Sequence, residues 1–188
     1  MKQFIAIACL LCVWACASKQ NSEANEKMDS VSVESVSSAD SIDYSSVGFD
    51  LMKEENFGGI RTGLIREEVI ILLGEPEQQT EIKMSEVDGM NSQTWMYLAK
   101  GIEISFSEDE NKKWTSVSYL LKESATQKST RGIGVGSTRE EVMKAYKKEI
   151  SADFGEGQII AGTVYGGIVF WLTEDGKVRN IFVGASAE

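Results

Sequence analysis

An eleven-residue segment occurs twice in this chain. Gly59-Ile60-Arg61-Thr62-Gly63-Leu64-Ile65-Arg66-Glu67-Glu68-Val69 lies over Gly132-Ile133-Gly134-Val135-Gly136-Ser137-Thr138-Arg139-Glu140-Glu141-Val142, and every aligned pair is 73 residues apart. The matches include both glycines, the isoleucine and the whole Arg-Glu-Glu-Val run. Self-similarity at one fixed spacing is the mark of a duplicated structural unit. The same offset carries an apolar stripe, Val69, Leu72 and Leu73 in the first copy and Val142, Ala145 and Tyr146 in the second. Spacing of i, i+3, i+4 predicts one buried helix face in each copy. Thr138 followed by Glu141 predicts a capping box for the second helix. Ile65 stands at the equivalent position of the first, so that turn is poorly capped. Gly74 and Pro76 stop the first helix.

Strands are predicted after each helix. In copy one, Trp95-Met96-Tyr97-Leu98 leads through Lys100-Gly101 to Ile102-Glu103-Ile104-Ser105-Phe106. In copy two, Thr163-Val164-Tyr165 leads through Gly166-Gly167 to Ile168-Val169-Phe170-Trp171-Leu172. Both dipeptides suit two-residue hairpin turns. A third strand follows each hairpin, around Val117 and Tyr119 in one copy and Val178, Ile181 and Val183 in the other. The expected fold class is α+β: two layers, made of tandem units that each hold a helix and a three-stranded antiparallel meander. The units are set at residues 57–125 and 126–188.

The chain ahead of the repeat reads differently. Lys2 precedes an apolar run from Phe4 to Ala15, roughly a dozen residues, too short to cross a bilayer as a helix but suited to a signal peptide. Residues 1–15 are read as that signal. Cys9, Cys12 and Cys16 are the only cysteines, so the duplicated region has neither disulfide nor thiol chemistry. From residue 16 to 56 the composition turns Ser-rich and acidic, which cannot bury enough apolar surface to order itself. It is read as a flexible tether, with Phe49, Leu51 and Met52 as a first ordered turn.

Ala15 directly before Cys16 resembles the lipobox of bacterial lipoproteins, in which the cysteine sulfur is acylated, by palmitate or a similar chain, and the cysteine becomes the new N-terminus. The pattern Gly-x-x-x-Gly, helix, Leu72-Leu73-Gly74-Glu75-Pro76, then Trp95-x-Tyr97 and Ile104-x-Phe106 resembles the repeat of the SmpA/OmlA (BamE-type) outer-membrane lipoproteins. The β-lactamase inhibitory proteins are similar in using two such copies in tandem. The resemblance implies an envelope location and work by contact with an envelope protein, with no catalytic residues and no cofactor. Ala17, in place of the aspartate that retains some lipoproteins at the inner membrane, implies the outer membrane by the same resemblance.

Other chemistry is restricted. There is no histidine, and the net charge is −10; a chain of that charge lacks the Lys/Arg surface that nucleic acid needs. Glu67-Glu68 and Glu140-Glu141 are adjacent on helices and point about 100° apart, so they do not converge on one metal or substrate. Glu108-Asp109-Glu110 lacks calcium-loop spacing. Gly132 to Gly136 lacks the spacing and the Lys-Ser/Thr ending of a phosphate loop. What remains is surface. In the register set by the two dipeptide turns, Trp95 pairs with Phe106 and Tyr97 with Ile104 in the core, while Val164, Val169 and Trp171 share the opposite, outer face. An outward Trp beside two Val residues predicts a protein-binding patch. The alternative is a small-ligand or peptidoglycan site in the cleft between the copies.

Overall fold

A computed structural model describes residues 42–185 except 87, 154 and 156. The signal peptide, Cys16 and the tether up to residue 41 lie outside the described residues. The described elements run α1 (Tyr44–Glu54), α2 (Arg66–Leu73), β1 (Gln78–Gln79), β2 (Lys83–Met84), β3 (Asn91–Tyr97), β4 (Ile102–Glu108), β5 (Trp114–Leu121), α3 (Arg139–Ala145), β6 (Ile150–Asp153), β7 (Gln158–Thr163), β8 (Gly166–Leu172) and β9 (Val178–Gly184).

All nine strands join one antiparallel sheet in the order β1-β3-β4-β5-β9-β8-β7-β6, with β2 also paired to β3. This corrects the expected architecture of tandem helix-plus-three-stranded-meander units. The strands of the two halves merge, because Tyr119, Leu120 and Leu121 pair with Val183, Phe182 and Ile181 across β5 and β9. Short strands β1 and β2 extend one side and β6 the other. Helices are a minor component: α2 has 8 residues and α3 has 7.

Residues 42–56 are corrected too, since they belong to the folded body rather than the tether. Asp43 caps α1 by accepting from the Ser45 and Ser46 amides at 3.1 and 3.4 Å. Gly48 then lets the helix backbone settle on the sheet. A Cβ there would stand 1.7 Å from the Gly166 carbonyl oxygen and 3.2 Å from the Gly162 Cα. That close approach explains Gly162 and Gly166 in the second hairpin. Gly166-Gly167 is not its turn; Thr163 pairs with Gly166, and Val164 and Tyr165 make the turn. In the first hairpin the turn is a 3-10 segment, Leu98–Lys100, closed by Gly101 at φ 64°. Trp95 therefore pairs with Ile104 and Tyr97 with Ile102. Each partner moves by two residues, so the expected face is unchanged.

The duplicated segments are built alike at their turns. Gly63 and Gly136 donate their amides to Ser116 and Val178, at 2.7 and 2.8 Å. Glu141 accepts from the Thr138 amide and the Thr138 hydroxyl accepts from the Glu141 amide, a complete capping box. Glu68 accepts from the Ile65 amide at 2.9 Å. Ile65 has no side-chain oxygen to reciprocate, so α2 has half a box.

The core lies on one face of the sheet. Leu51 of α1, Val69 and Leu73 of α2, and Val142 of α3 share it with Trp95, Ile104, Phe106, Tyr119, Ile168, Phe170 and Ile181. No helix among the described residues is long and apolar enough to cross a membrane.

Candidate functional site

Alternation along the strands sends every second side chain to the other face. One register row crosses that outer face: Ala152, Ile160, Val169, Phe182, Leu120, Glu103 and Met96. Beside it, Gln158, Trp171 and Asn180 are paired in turn. Ile160 and Val169 are 4% and 5% exposed, yet neither belongs to the core that the helices cover. Trp171, Phe182 and Leu120 are half-buried. The Trp171 and Phe182 rings meet edge to face, with centroids 6.5 Å apart. Each described helix places its buried apolar residues in the core on the opposite side.

Two of the three residues expected in the patch, Val169 and Trp171, stand together on this face. Val164 does not; it sits in the β7–β8 turn, 37% exposed. The sequence reading missed Phe182, Ile160 and Leu120. Phe182 was recoverable, since inward Ile181 and Val183 leave the residue between them outward. Leu120 was recoverable in the same way from inward Tyr119; the bulge, in which Phe106 pairs with Ser116 and Ser105 with Ser118, drops only Val117 from the alternation.

Where β3, β4 and β5 end beside β9, a cleft of about 480 Å³ is lined by Leu98, Gly101, Glu103, Lys122, Glu123, Ser124, Arg179 and Asn180, among others. Lys122 and Glu103 form an ion pair within it. Tyr97 also lines the cleft, and its hydroxyl donates to the Gly74 carbonyl at 3.1 Å.

Two polar clusters belong to the core side. The Glu55 carboxylate, 3% exposed, accepts from the Thr130 amide and hydroxyl, the Asn56 amide and the Tyr146 hydroxyl, and pairs with Arg131 at 3.2 Å. So many donors satisfy a buried charge and lock the C-terminal end of α1 to the second half of the chain. Burial pushes the Tyr146 phenol well above its ordinary range, and the neighbouring Glu55 carboxylate adds to this. Tyr119 moves the same way, again chiefly through burial, and its hydroxyl has no partner among the described residues. In the second cluster the Arg66 guanidinium lies 3.6 Å from the Trp114 ring centroid, 5.2 Å from that of Trp95 and 5.5 Å from that of Phe106. Burial lowers the Arg66 pKa from its ordinary value, with Glu108 and Glu67 opposing. Both clusters fix packing through charge-assisted and cation–π contacts. Of the paired glutamates, Glu68 and Glu141 are engaged in helix capping, and Glu67 and Glu140 are exposed. Among the described residues no group of three or more His, Cys, Asp or Glu side chains is placed to hold a metal ion.

No protein-family model matches the chain, and neither a curated protein nor a solved structure is significantly similar to it.

Proposed function

We propose that this chain is a non-catalytic envelope lipoprotein, a protein-binding or envelope-assembly module that docks a partner on its outer sheet face. Half-buried Trp171, Phe182 and Leu120, seated beside buried Ile160 and Val169 and outside the core that the described helices share, carry this reading. Contiguous apolar surface rimmed by polar residues marks contact sites, and half-buried Trp and Phe are the side chains that anchor interfaces. Glu103, Lys122, Gln158 and Asn180 supply the polar rim.

Anchoring in this reading is by lipid on Cys16, at the outer membrane. Acyl chains contribute about 0.8 kcal/mol per buried CH₂, so more than one chain holds a protein firmly. Labelled palmitate should enter the wild-type chain and be lost in Cys16→Ser, and density fractionation of the envelope should place the protein with the outer membrane. For the docking face the test is affinity capture from cross-linked envelopes. Wild type should retain a discrete partner that Trp171→Ala loses while keeping its fold. Equal capture by both would remove the docking reading.

The 480 Å³ cleft favours a second reading, a small-ligand or peptidoglycan site at the junction of the two halves. Its volume and its convergent polar groups are those of small-molecule sites.

A further inference from the structure

The cleft has a defined chemical lining. Trp171 pairs with Asn180 and Leu172 with Val178, so Arg179 opposes no residue of β8. Such a bulge re-aims a side chain, and here it brings Arg179 to the cleft wall beside Asn180. Across the wall, Lys122 is already bound to Glu103. Arg179 and Glu123 have no ion pair, and neither the Asn180 amide nor the Ser124 hydroxyl forms a hydrogen bond among the described residues.

The charges therefore divide into a closed pair and an open pair. Arg179 offers a planar fork of donors, the geometry that matches a carboxylate in two parallel bonds. Glu123 offers acceptors to an ammonium group. Two cations and two anions leave the lining neutral, so it selects for a ligand that carries both charges rather than a net charge. Leu98 and Gly101 complete this part of the lining. A volume of about 480 Å³ holds two or three small residues.

We propose, resting on the cleft reading above, that this site binds a short zwitterionic peptide, with Arg179 receiving its terminal carboxylate and Glu123 its ammonium group. Asn180 donates a second bond to the carboxylate, and Ser124 lies beside the peptide chain.

The test is a ¹⁵N NMR titration of the full chain in detergent with three probes: trialanine with free ends, trialanine capped by acetyl and amide groups, and di-N-acetylchitobiose. Free trialanine should move the Arg179 Nε–H and Asn180 side-chain amide signals saturably, and the capped peptide should not. Arg179→Gln and Glu123→Gln should each weaken binding about tenfold, the loss expected for one charge-assisted contact. Unchanged signals from Trp171 and Phe182 will show that both variants stay folded. Equal binding of free and capped peptides, binding of chitobiose alone, or free-peptide binding that neither variant weakens would overturn the zwitterion assignment and leave the cleft as a ligand site. Movement with none of the three probes would remove both.

Discussion

Phe170 and Trp171 are consecutive residues of β8, yet they face different surroundings. Phe170 is fully buried, 5.2 Å from the Tyr146 ring at the end of α3. Trp171 is half-buried, with Phe182 of the next strand as its ring neighbour, and lies outside the core that the described helices share. All three described α-helices place buried residues on the Phe170 face. The difference separates two uses of apolar surface in one sheet. One face holds the fold together; the other carries large side chains that the fold does not need to cover.

That contrast sets the order of expected effects. Phe170→Ala removes a ring from the filled core and should cost about 3–5 kcal/mol in denaturant unfolding. A loss below about 1 kcal/mol would mean that the two faces are not so different. Gly48→Ala comes next. Alanine favours a helix over glycine by about 1 kcal/mol, but the added Cβ would meet backbone at 1.7 Å. Overpacking costs about 1–3 kcal/mol, and a backbone carbonyl cannot turn aside as a side chain can. The clash wins, with a net loss of about 1–2 kcal/mol and faster hydrogen exchange in α1. A stabilised variant would show that α1 does not press on the sheet.

Trp171→Ala should cost about 1 kcal/mol or less while abolishing partner capture. Tyr119→Phe should run the other way. Its hydroxyl is buried without a partner, and deleting such a group can return up to about 1 kcal/mol. A clear loss in unfolding experiments would reveal a partner for that hydroxyl. The pH profile sharpens the same contrast, because Tyr97, Tyr119 and Tyr146 all belong to the core side. Burial, with Glu75 and Glu77 adding to it, raises Tyr97 from its ordinary 10.0 to about 12. The folded state thus keeps its phenol neutral where the unfolded chain ionises. Stability from this group is complete below pH 10 and is lost as pH rises towards about 12. Unfolding midpoints at pH 9, 10, 11 and 12 should fall over that window equally in wild type and Trp171→Ala. A flat profile would contradict the burial argument.

Much of the local structure was legible because it is encoded locally. The Thr138–Glu141 capping box and the helix stop at Gly74 follow from a few adjacent residues. So did the shared face of Val169 and Trp171, which needs only a strand period of two. The rest depends on contacts distant in sequence. Tyr44–Glu54 contains Ser, Gly and Asp, poor helix formers, and its glycine makes sense only once Gly162 and Gly166 lie beneath it. The same contact explains Gly166, while a Cβ on Gly167 would meet the Ala161 and Thr163 backbone of the paired strand. Bulges at Val117 and Arg179 cannot be seen in one strand, because a bulge is a mismatch between two. Pairing of β5 with β9 joins residues some sixty positions apart, and with β1, β2 and β6 it turns the expected tandem units into one sheet.

The central claim is that the outer face is a covered face in the cell envelope. Hydroxyl-radical footprinting tests it directly, by comparing the purified chain with the same chain in intact envelopes. The account expects Trp171, Phe182 and Leu120 to be oxidised in the purified chain and protected in envelopes, while exposed Ile71 and Met84 react alike in both. Equal oxidation of Trp171 and Phe182 in the two samples would contradict it.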